Sequence, residues 1–401
     1  MIHLKQKAYE AIDTFTRDLE TISKNIWENP EQSYEEFKAH ANITDFLEKH
    51  GFEVERKYVT ETGFRSVFGD STDGPHIVVI CEYDALPVIG HACGHNLIAE
   101  VGLAAGIGIR AALNSSEKPL GKLTVLGTPA EEGDGGKIDM IESGVFKDVD
   151  IALMAHPAPF NQDAFHALAF NQVTVKYHGH AAHASAFPWN GVNALDAAVL
   201  CYQNVSCHRQ QFKSTWRVHG VIKNGGAKPN IIPDLTEFEF YARAPSKAEL
   251  SVLMEKLDLC FKSAATATGC SVEYLAEICW SKRPCYDMKN NKSISDVYHR
   301  NAKNLGVDFV KHGVAHYAGN IPTVSTDMGN VSYEVPSIHP MFYIGTDAVN
   351  HTKGFTVASG SPEAQSYTIA VSKAIAATAI EVLQDPKLLA QIKEEFRRVR
   401  S

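Results

Sequence analysis

Positive charge is in short supply in this sequence, and so are long uncharged apolar runs. Lys and Arg number 38 against 47 Asp and Glu, so the formal net charge is −9. Proteins that bind nucleic acid usually carry a basic stripe, and none occurs here. The most apolar segment, 97–113, contains Glu100 and Arg110, which predicts a buried helix and not a membrane span. We therefore expect neither nucleic acid nor a membrane as a partner.

A compact pattern of cysteines is missing as well. The 8 cysteines are spread over 401 residues without the compact spacing of a disulfide framework, and the amino-terminal residues lack the apolar core of a signal peptide. Both observations predict reduced thiols and a cytoplasmic protein. The hydrophobic fraction of 44% is that of an ordinary globular protein, and the length exceeds what one hydrophobic core usually serves. Two domains are therefore expected.

Several enzyme signatures are also missing. The sequence contains no His-Glu-x-x-His pair, no phosphate-binding Walker loop and no Gly-x-Ser-x-Gly turn. Gly106 and Gly108 lack the third glycine of a dinucleotide fingerprint and fall inside a predicted helix. Spacing therefore argues against the enzyme classes that depend on these motifs.

What the sequence does contain is a regular alternation of strands and helices. Amphipathic helices at 8–28 and 34–50 come first. The patterns that follow are a strand at 77–82, a helix at 97–113, a strand at 122–126, a short helix near 137 and a strand at 151–155. This order is typical of an α/β domain with a mixed, mostly parallel sheet flanked by helices.

The pattern changes after residue 167 to the order β-α-β-β-α-β, which is that of a ferredoxin-like unit. Its elements are predicted at 170–177, 193–211, 216–223, 236–243, 247–266 and 271–278. The first pattern then resumes with a helix around 287, a strand at 341–344 and a helix at 363–383. We predict a catalytic domain in two parts, 1–167 and 285–401, interrupted by an inserted domain at 168–284.

Groups of potential metal ligands follow the predicted strands, where α/β sheets usually place their sites. The run 91–96, His-Ala-Cys-Gly-His-Asn, opens a helix, and by itself it fits a buried or reactive cysteine almost as well as a metal site. Each histidine alone is also weak evidence, since core histidines are common. Four such groups at successive strand ends favour a zinc-type metal centre; their members are Cys93, His95, Glu131, Glu132, His156 and His351.

At this level of detail the sequence resembles the co-catalytic metallopeptidases that include aminoacylases, carnosinases and glutamate carboxypeptidases. It is most similar to their amidohydrolase branch, and within it to aminobenzoyl-glutamate hydrolase subunits and to cytosolic dipeptidases that cleave before a terminal Lys, ornithine or Arg. The resemblance extends over nearly the whole chain. It rests on the ordered motifs at 84–87, 91–96, 130–133, 156–157, 179–185, 191–197, 229–233, 325–332, 338–340 and 351.

The resemblance implies a role for each matching residue. Two divalent metal ions, zinc or manganese, would be held by Cys93, His95, Glu132, His156 and His351. Glu131 would be the general base, and Asp84 would orient a ligand. His183 of the inserted domain would bind the substrate carbonyl or its oxyanion, supplied by the other subunit of a homodimer. Asn230 and Arg243 would hold the substrate carboxylate, and the inserted domain would serve as lid and dimerisation domain.

One departure from the family pattern concerns the first ligand. Many relatives begin with a His-x-Asp pair, whereas this sequence has Glu82-Tyr83-Asp84. The way in which the ligands divide between two ions therefore stays open, as does the choice of metal, because a thiolate favours zinc and oxygen-rich sites admit manganese.

The favoured hypothesis is metal-dependent hydrolysis of the amide bond in a dipeptide or an N-acyl amino acid. Two alternatives remain at this point. Cys93 could be a nucleophile with His95 or His91 as its base, which leaves Glu131, Glu132, His156 and His351 without a role. The chain could also be a non-catalytic binding relative, although none of the expected ligands is lost from its sequence.

Overall fold

The chain divides into a main unit and an inserted unit. A computed structural model describes residues 1–70, 72, 74–133, 135–270, 276–309 and 324–400. The main unit comprises Met1–His166 and, from residue 288 onward, the described residues 288–309 and 326–400; the inserted unit comprises 167–270, 276–287 and 324–325. Each unit has its own hydrophobic core. The α/β architecture with an inserted second unit confirms the predicted fold class.

In the described part of the chain, the helices are α1 (Ile2–Glu28), α2 (Phe37–Lys49), α3 (His95–Asn114), α4 (Gly136–Glu142), α5 (Ala194–His208), α6 (Lys247–Thr268), α7 (Lys292–Asn304), α8 (Met328–Glu334), α9 (Lys353–Ser359), α10 (Pro362–Gln384) and α11 (Pro386–Arg400). The strands there are β1 (Glu53–Arg56), β2 (Phe64–Gly69), β3 (His76–Cys81), β4 (Lys122–Gly127), β5 (Ile151–Leu153), β6 (His156–Ala158), β7 (Ala169–His178), β8 (Arg217–Asn224), β9 (Leu235–Ala244), β10 (Ala276–Trp280), β11 (Ser337–Ile338) and β12 (Met341–Tyr343).

The main sheet has the strand order β1-β2-β4-β3-β5-β11. The pairs β4-β3, β3-β5 and β5-β11 are parallel, so β3, β4 and β5 end at the same edge. Every residue of β3 is buried, as expected for a strand covered on both faces. The loops that follow β3 and β4 at this edge carry the predicted residues Asp84, Cys93, His95, Glu131 and Glu132.

Helix α3 lies against this sheet and is buried along most of its length. Two of its glycines allow the close approach: a Cβ at Gly102 would lie 2.4 Å from Cys81 Sγ, and one at Gly106 would lie 2.5 Å from Val125 Cγ2. Gly106 therefore serves helix–sheet packing. Helices α1 and α10 pack on α3 and complete this layer.

The inserted unit has the ferredoxin-like order β7-α5-β8-β9-α6-β10, as predicted. Its sheet runs β10-β7-β9-β8 with every neighbouring pair antiparallel, and α5 and α6 pack against it. Strand β8 is an edge strand, paired only with β9 in the described residues. The first residues of the strand predicted at 271–278 lie outside the described residues.

Several elements differ from the prediction. Strands β1 and β2 were not expected and extend the sheet in the antiparallel sense. The strand predicted at 151–155 ends at Leu153, and His156 begins β6, which pairs with β12 in a separate two-stranded sheet. A continuous apolar run conceals such a break because both short strands are buried.

Among the residues that the structure describes, two helices, α3 and α10, are long and apolar enough to span a membrane. The apolar windows of these helices are 83% and 72% buried inside the protein, respectively. That degree of burial is what core helices of globular proteins show, so neither helix is by itself evidence of a membrane span.

Candidate metal centre and active site

The first ligand loop follows β3 and leads into α3. Gly94 is the residue before α3 and has φ +80°, and a Cβ there would lie 2.6 Å from Pro157 Cγ. Only glycine meets both conditions without strain. This tight turn places Cys93 immediately before the helix and His95 in its first turn, both buried.

The second loop follows β4 and carries the two glutamates. Ala130 adopts φ +61°, a conformation that a residue with a side chain rarely takes, and its N–H donates to Glu36 Oε1 at 2.9 Å. Strained backbone of this kind is typical of functional sites, where the surroundings fix it. Here it fixes the course of the chain into Glu131 and Glu132.

The third loop presents His351. This residue has φ +64°, and its N–H donates to the Ala92 carbonyl at 2.8 Å, which ties the loop to the first one. Its Nε2 lies 3.3 Å from Glu132 Oε1. The loop after β12 thus brings a residue from the last third of the chain to the same sheet edge.

The five side chains predicted as ligands come together in one cluster with Glu131. Cys93 Sγ lies 3.3 Å from His156 Nε2, and His95 Nε2 lies 3.8 Å from an oxygen of both Glu131 and Glu132. Among the described residues, three sets that include Cys93 or His95 have potential ligand atoms within 4.8 Å of one another; they are Cys93–His95–His156, Cys93–Glu132–His351 and His95–Glu131–Glu132.

The donor set also fits a metal ion chemically. His156 Nδ1 is 2.8 Å from the Pro157 carbonyl, which fixes its proton there and leaves Nε2 facing the cluster. His95 Nε2 is fully buried and has no hydrogen-bond partner in the described residues. A buried imidazole nitrogen of that kind is costly unless something binds it. Thiolate, imidazole and carboxylate are the ligands that zinc prefers.

Asp84 holds two cluster members in place. Its Oδ1 is 3.0 Å from His95 Nδ1, and its Oδ2 accepts the Glu132 N–H at 3.0 Å. Burial opposes the charged forms of Asp84 and His95, but their interaction lowers the pKa of Asp84 and, together with Cys93, raises that of His95 well above its usual value. Asp84 therefore lies where a residue that orients a histidine ligand is expected.

The adjacent glutamates are pushed in opposite directions. Burial, with Glu82 and Glu132 nearby, raises the pKa of Glu131 well above its usual value. Burial also acts on Glu132, but the hydrogen bond from His351 and the charge of His95 outweigh it and lower the pKa of Glu132. Two neighbouring carboxyl groups with separated pKa values are suited to different tasks.

A further buried group was not anticipated from the sequence. Lys137 Nζ lies 2.5 Å from Glu82 Oε1 and 2.7 Å from Asp327 Oδ1, and the three side chains are completely buried. Only indirect signals pointed to it: Glu82 lies where the family resemblance leads us to expect a histidine, and Gly135-Gly136 precede Lys137. His339, whose motif at 338–340 implied no role, is buried in the same unit, 5.5 Å from His156 between ring centres.

The remaining predicted residues belong to the inserted unit. His183 is exposed, and its Nδ1 accepts the Ala186 N–H at 3.3 Å, which leaves Nε2 as the protonated nitrogen. It forms an isolated bridge with Ile231, beside Asn230. Arg243 lies near the far end of β9, donates to Ser325 Oγ at 2.9 Å and stacks over Phe170. Asn230 precedes the start of β9, so these predicted residues lie at opposite ends of a strand about 30 Å long.

Comparison with known proteins agrees with this architecture. Residues 170–268 match the model of a peptidase dimerisation domain. The chain is 50% identical to the Xaa-Arg dipeptidase of Mus musculus over 98% of its length and 92% of that protein. It is 28% identical to a p-aminobenzoyl-glutamate hydrolase subunit of Escherichia coli over 97% and 94% of the two chains.

A solved structure shares the fold. The dinuclear metal binding peptidase of the M20 family from Bacillus subtilis superposes with a TM-score of 0.68 at 19% identity, covering 93% of this chain and 99% of that one. Half of the aligned residues are identical to those of the Xaa-Arg dipeptidase of Mus musculus, over nearly the full length of both chains. The chain therefore belongs to the M20 family of peptidases and is an enzyme of the peptidase and amidohydrolase type.

Proposed function

We propose that this enzyme is a dinuclear metallopeptidase that hydrolyses dipeptides with a carboxy-terminal Arg, Lys or ornithine. The binding of two metal ions is supported by the cluster of five donor side chains with Glu131 beside it. The substrate class is supported by the identity of 50% to a protein named Xaa-Arg dipeptidase, of which the chain covers 92%. An aminobenzoyl-glutamate or N-acyl amino acid amidohydrolase is the second candidate, supported by the more distant relative from Escherichia coli.

Two divalent ions would be held by Cys93, His95, Glu132, His156 and His351. Cys93, His95 and Glu132 each belong to two of the three sets of neighbouring ligand atoms described above, which supports one common centre formed by these side chains. Bound there, the ions would polarise the scissile carbonyl and lower the pKa of a water molecule. The thiolate favours zinc, and the carboxylate oxygens also admit manganese.

Glu131 is the proposed general base. It lies beside His95 and Glu132, and its raised pKa allows it to hold a proton between two steps. It would take the proton from the attacking water and deliver it to the leaving amine. Glu132, whose pKa is lowered, is better suited to remain an anionic ligand.

His183 is proposed to stabilise the oxyanion through its Nε2–H, since its Nδ1 already accepts a backbone hydrogen bond. Asn230 and Arg243 are proposed to bind the substrate carboxylate. Because they lie at opposite ends of β9, one copy of the inserted unit cannot place both on a small substrate. This separation supports a homodimer in which two copies of the unit each supply part of the binding site.

Exposed apolar side chains support the dimer. On the edge strand β8, Val221 and Ile222 are 57% and 44% exposed, and on α5, Val199 and Tyr202 are each 48% exposed. An unpaired strand edge with apolar side chains can pair with its counterpart in a second copy. A cytoplasmic location is supported by the cysteines that are free thiols in the described residues, which include Cys81, Cys93, Cys201, Cys207, Cys260, Cys270 and Cys279.

The cysteine-nucleophile alternative fits the site less well. A nucleophilic cysteine needs a lowered pKa, whereas burial and the charge of Glu132 raise that of Cys93 well above its usual value. A cysteine-nucleophile mechanism would also leave Glu131, Glu132, His156 and His351 without a role. Activity that survives exhaustive chelation and disappears on thiol alkylation would nevertheless establish it.

Metal analysis joined to a substrate panel tests the proposal. Purified enzyme should contain two equivalents of divalent metal and should cleave dipeptides ending in Arg, Lys or ornithine in preference to N-acetyl amino acids and aminobenzoyl-glutamate. Preference for aminobenzoyl-glutamate would establish the second candidate. Metal-free protein that cleaves no member of the panel would leave only a binding role.

A further inference from the structure

A lysine is buried next to the proposed base in a position that is shaped for a cation. Lys137 is completely buried, and its ammonium group contacts the carboxylates of Glu82 and Asp327 at 2.5 and 2.7 Å. Asp327 also accepts the Lys137 N–H at 3.0 Å, through its other oxygen. Lysine is seldom fully buried unless it is paired with an opposite charge, so the carboxylates of Glu82 and Asp327 make the burial of Lys137 possible.

The backbone directs this side chain inward. Gly135 has φ +71°, and a Cβ at Gly136 would lie 2.0 Å from the Pro129 carbonyl oxygen. Both positions therefore require glycine, and the tight turn starts α4 so that its second residue, Lys137, faces the interior. Asp327, directly before α8, meets it from the other side.

The acidic residues around Lys137 resemble a metal site themselves. One oxygen each of Glu82, Glu131 and Asp327 lies within 4.8 Å of the others, which is the spacing of ligands around a divalent ion. Glu131 belongs both to this set and to the set with His95 and Glu132. A divalent ion among the three carboxylates would bind the proposed base as a ligand.

We propose that Lys137 is a positioning residue whose ammonium group occupies a third cation position, so that Glu131 remains free of metal and available to the attacking water. A tethered cation cannot exchange with divalent ions in solution. This inference rests on the proposed function, because it takes Glu131 as the base.

Metal stoichiometry tests the inference directly. The Lys137→Ala variant opens space among three oxygen ligands and should bind one more Mn²⁺ per chain than the wild type after equilibrium dialysis. Lys137→Arg keeps a cation and should bind the same number as the wild type. In Lys137→Ala combined with Glu82→Gln, the set formed by Glu82, Glu131 and Asp327 loses a charged ligand, and the additional ion should be lost.

Activity provides a second measure. Because the additional ion would take Glu131 as a ligand, excess Mn²⁺ should inhibit Lys137→Ala at concentrations at least tenfold lower than those that inhibit the wild type. Melting curves with and without Mn²⁺ identify folded variants. A folded Lys137→Ala protein that binds no more Mn²⁺ than the wild type overturns the inference.

The wild type itself supplies a test that does not depend on the folding of any variant. In crystals of the wild type grown with Mn²⁺, anomalous scattering should show manganese near His95 and none between Glu82 and Asp327. Manganese between those two carboxylates overturns the inference. A wild type that binds no metal at all contradicts the proposed function instead, so the two failures are distinct.

Discussion

The two units of this enzyme differ in whether they bury charged side chains. The main unit buries carboxylates, histidines and a lysine around its sheet edge; they include Glu82, Asp84, His95, Lys137 and Asp327. In the described residues of the inserted unit, Asp287 is the only such buried side chain, and the core there is almost entirely apolar. His183 and Asn230, the polar residues predicted to act from the inserted unit, lie exposed.

This contrast separates two tasks. Buried charges in a low-dielectric interior are held in fixed positions and interact strongly, which suits metal binding and proton transfer. Exposed polar groups on a separately folded unit keep their freedom until a substrate or a second copy meets them. We infer that the main unit provides the metal ligands and the general base, and that the inserted unit provides groups that contact the substrate and the second copy.

The largest effect is expected in the main unit at Glu131. Glu131→Ala should lower kcat by about 10³-fold, the scale of a lost general base. It should keep the metal content of the wild type, because the other five donors remain. Turnover measured beside elemental analysis checks both points. Glu142→Ala, a change at an exposed residue at the end of α4, is the matched control and should behave as the wild type. Near-normal turnover in Glu131→Ala would exclude Glu131 as the base.

In the inserted unit, His183→Ala should lower kcat by about 10²-fold, through loss of an oxyanion donor. Metal content should not change. Mixed dimers decide which subunit provides the histidine. If it acts across the dimer, refolding equal amounts of His183→Ala and Glu131→Ala chains restores about a quarter of wild-type activity, because half of the dimers carry one intact site of two. If it acts within its own chain, the mixture stays inactive.

The dimer surface proposed for the inserted unit gives a third test. Val221→Lys places a charge on the exposed edge of β8 and should convert the dimer to a monomer in light scattering, since a buried, unpaired charge is costly. Activity should fall about as far as in His183→Ala. Lys223→Ala, on the same strand but already polar, serves as the control. A monomeric Val221→Lys protein with full activity would show that each chain works alone.

The contrast between the units also explains what the sequence could predict. In the main unit, Cys93, Glu132 and His156 follow or lie beside parallel strands, and parallel strands end at one edge, so order along the chain predicts proximity in space. The ferredoxin-like order of the inserted unit was equally readable, because its strands alternate and its helices are long. The family resemblance added roles that no spacing contains.

What the sequence could not predict depends on contacts between distant segments. Lys137 looks like an ordinary helical lysine until Asp327, 190 residues later, is placed beside it. The break after Leu153 was hidden by burial on both sides of it. The backbone strain at Ala130 and His351 has no sequence signal, because neither residue is glycine.

The smallest expected effect concerns stability and not activity. Glu100 is fully buried in α3, and burial raises its pKa to about 7, although hydrogen bonds from Ser23 and Gln365 lower it in part. Between its usual value near 4.5 and about 7, the unfolded chain loses this proton while the folded protein keeps it. The free energy of unfolding therefore falls as pH rises through that range, by at most about 3 kcal/mol.

Glu100→Gln should remove this dependence, because the amide has no proton to lose. Urea unfolding at each pH from 5 to 8 measures this effect. As pH rises over that range, the variant should become more stable relative to the wild type. Turnover should be unaffected. Glu255→Gln in the inserted unit, where the side chain is exposed in α6, should show no such trend, since it remains in water in both states. If the free energies of unfolding of both variants followed the same pH dependence as that of the wild type, the buried carboxyl group of Glu100 would not affect stability in this pH range. The contrast between the two units would then concern only their functional residues and not their stability.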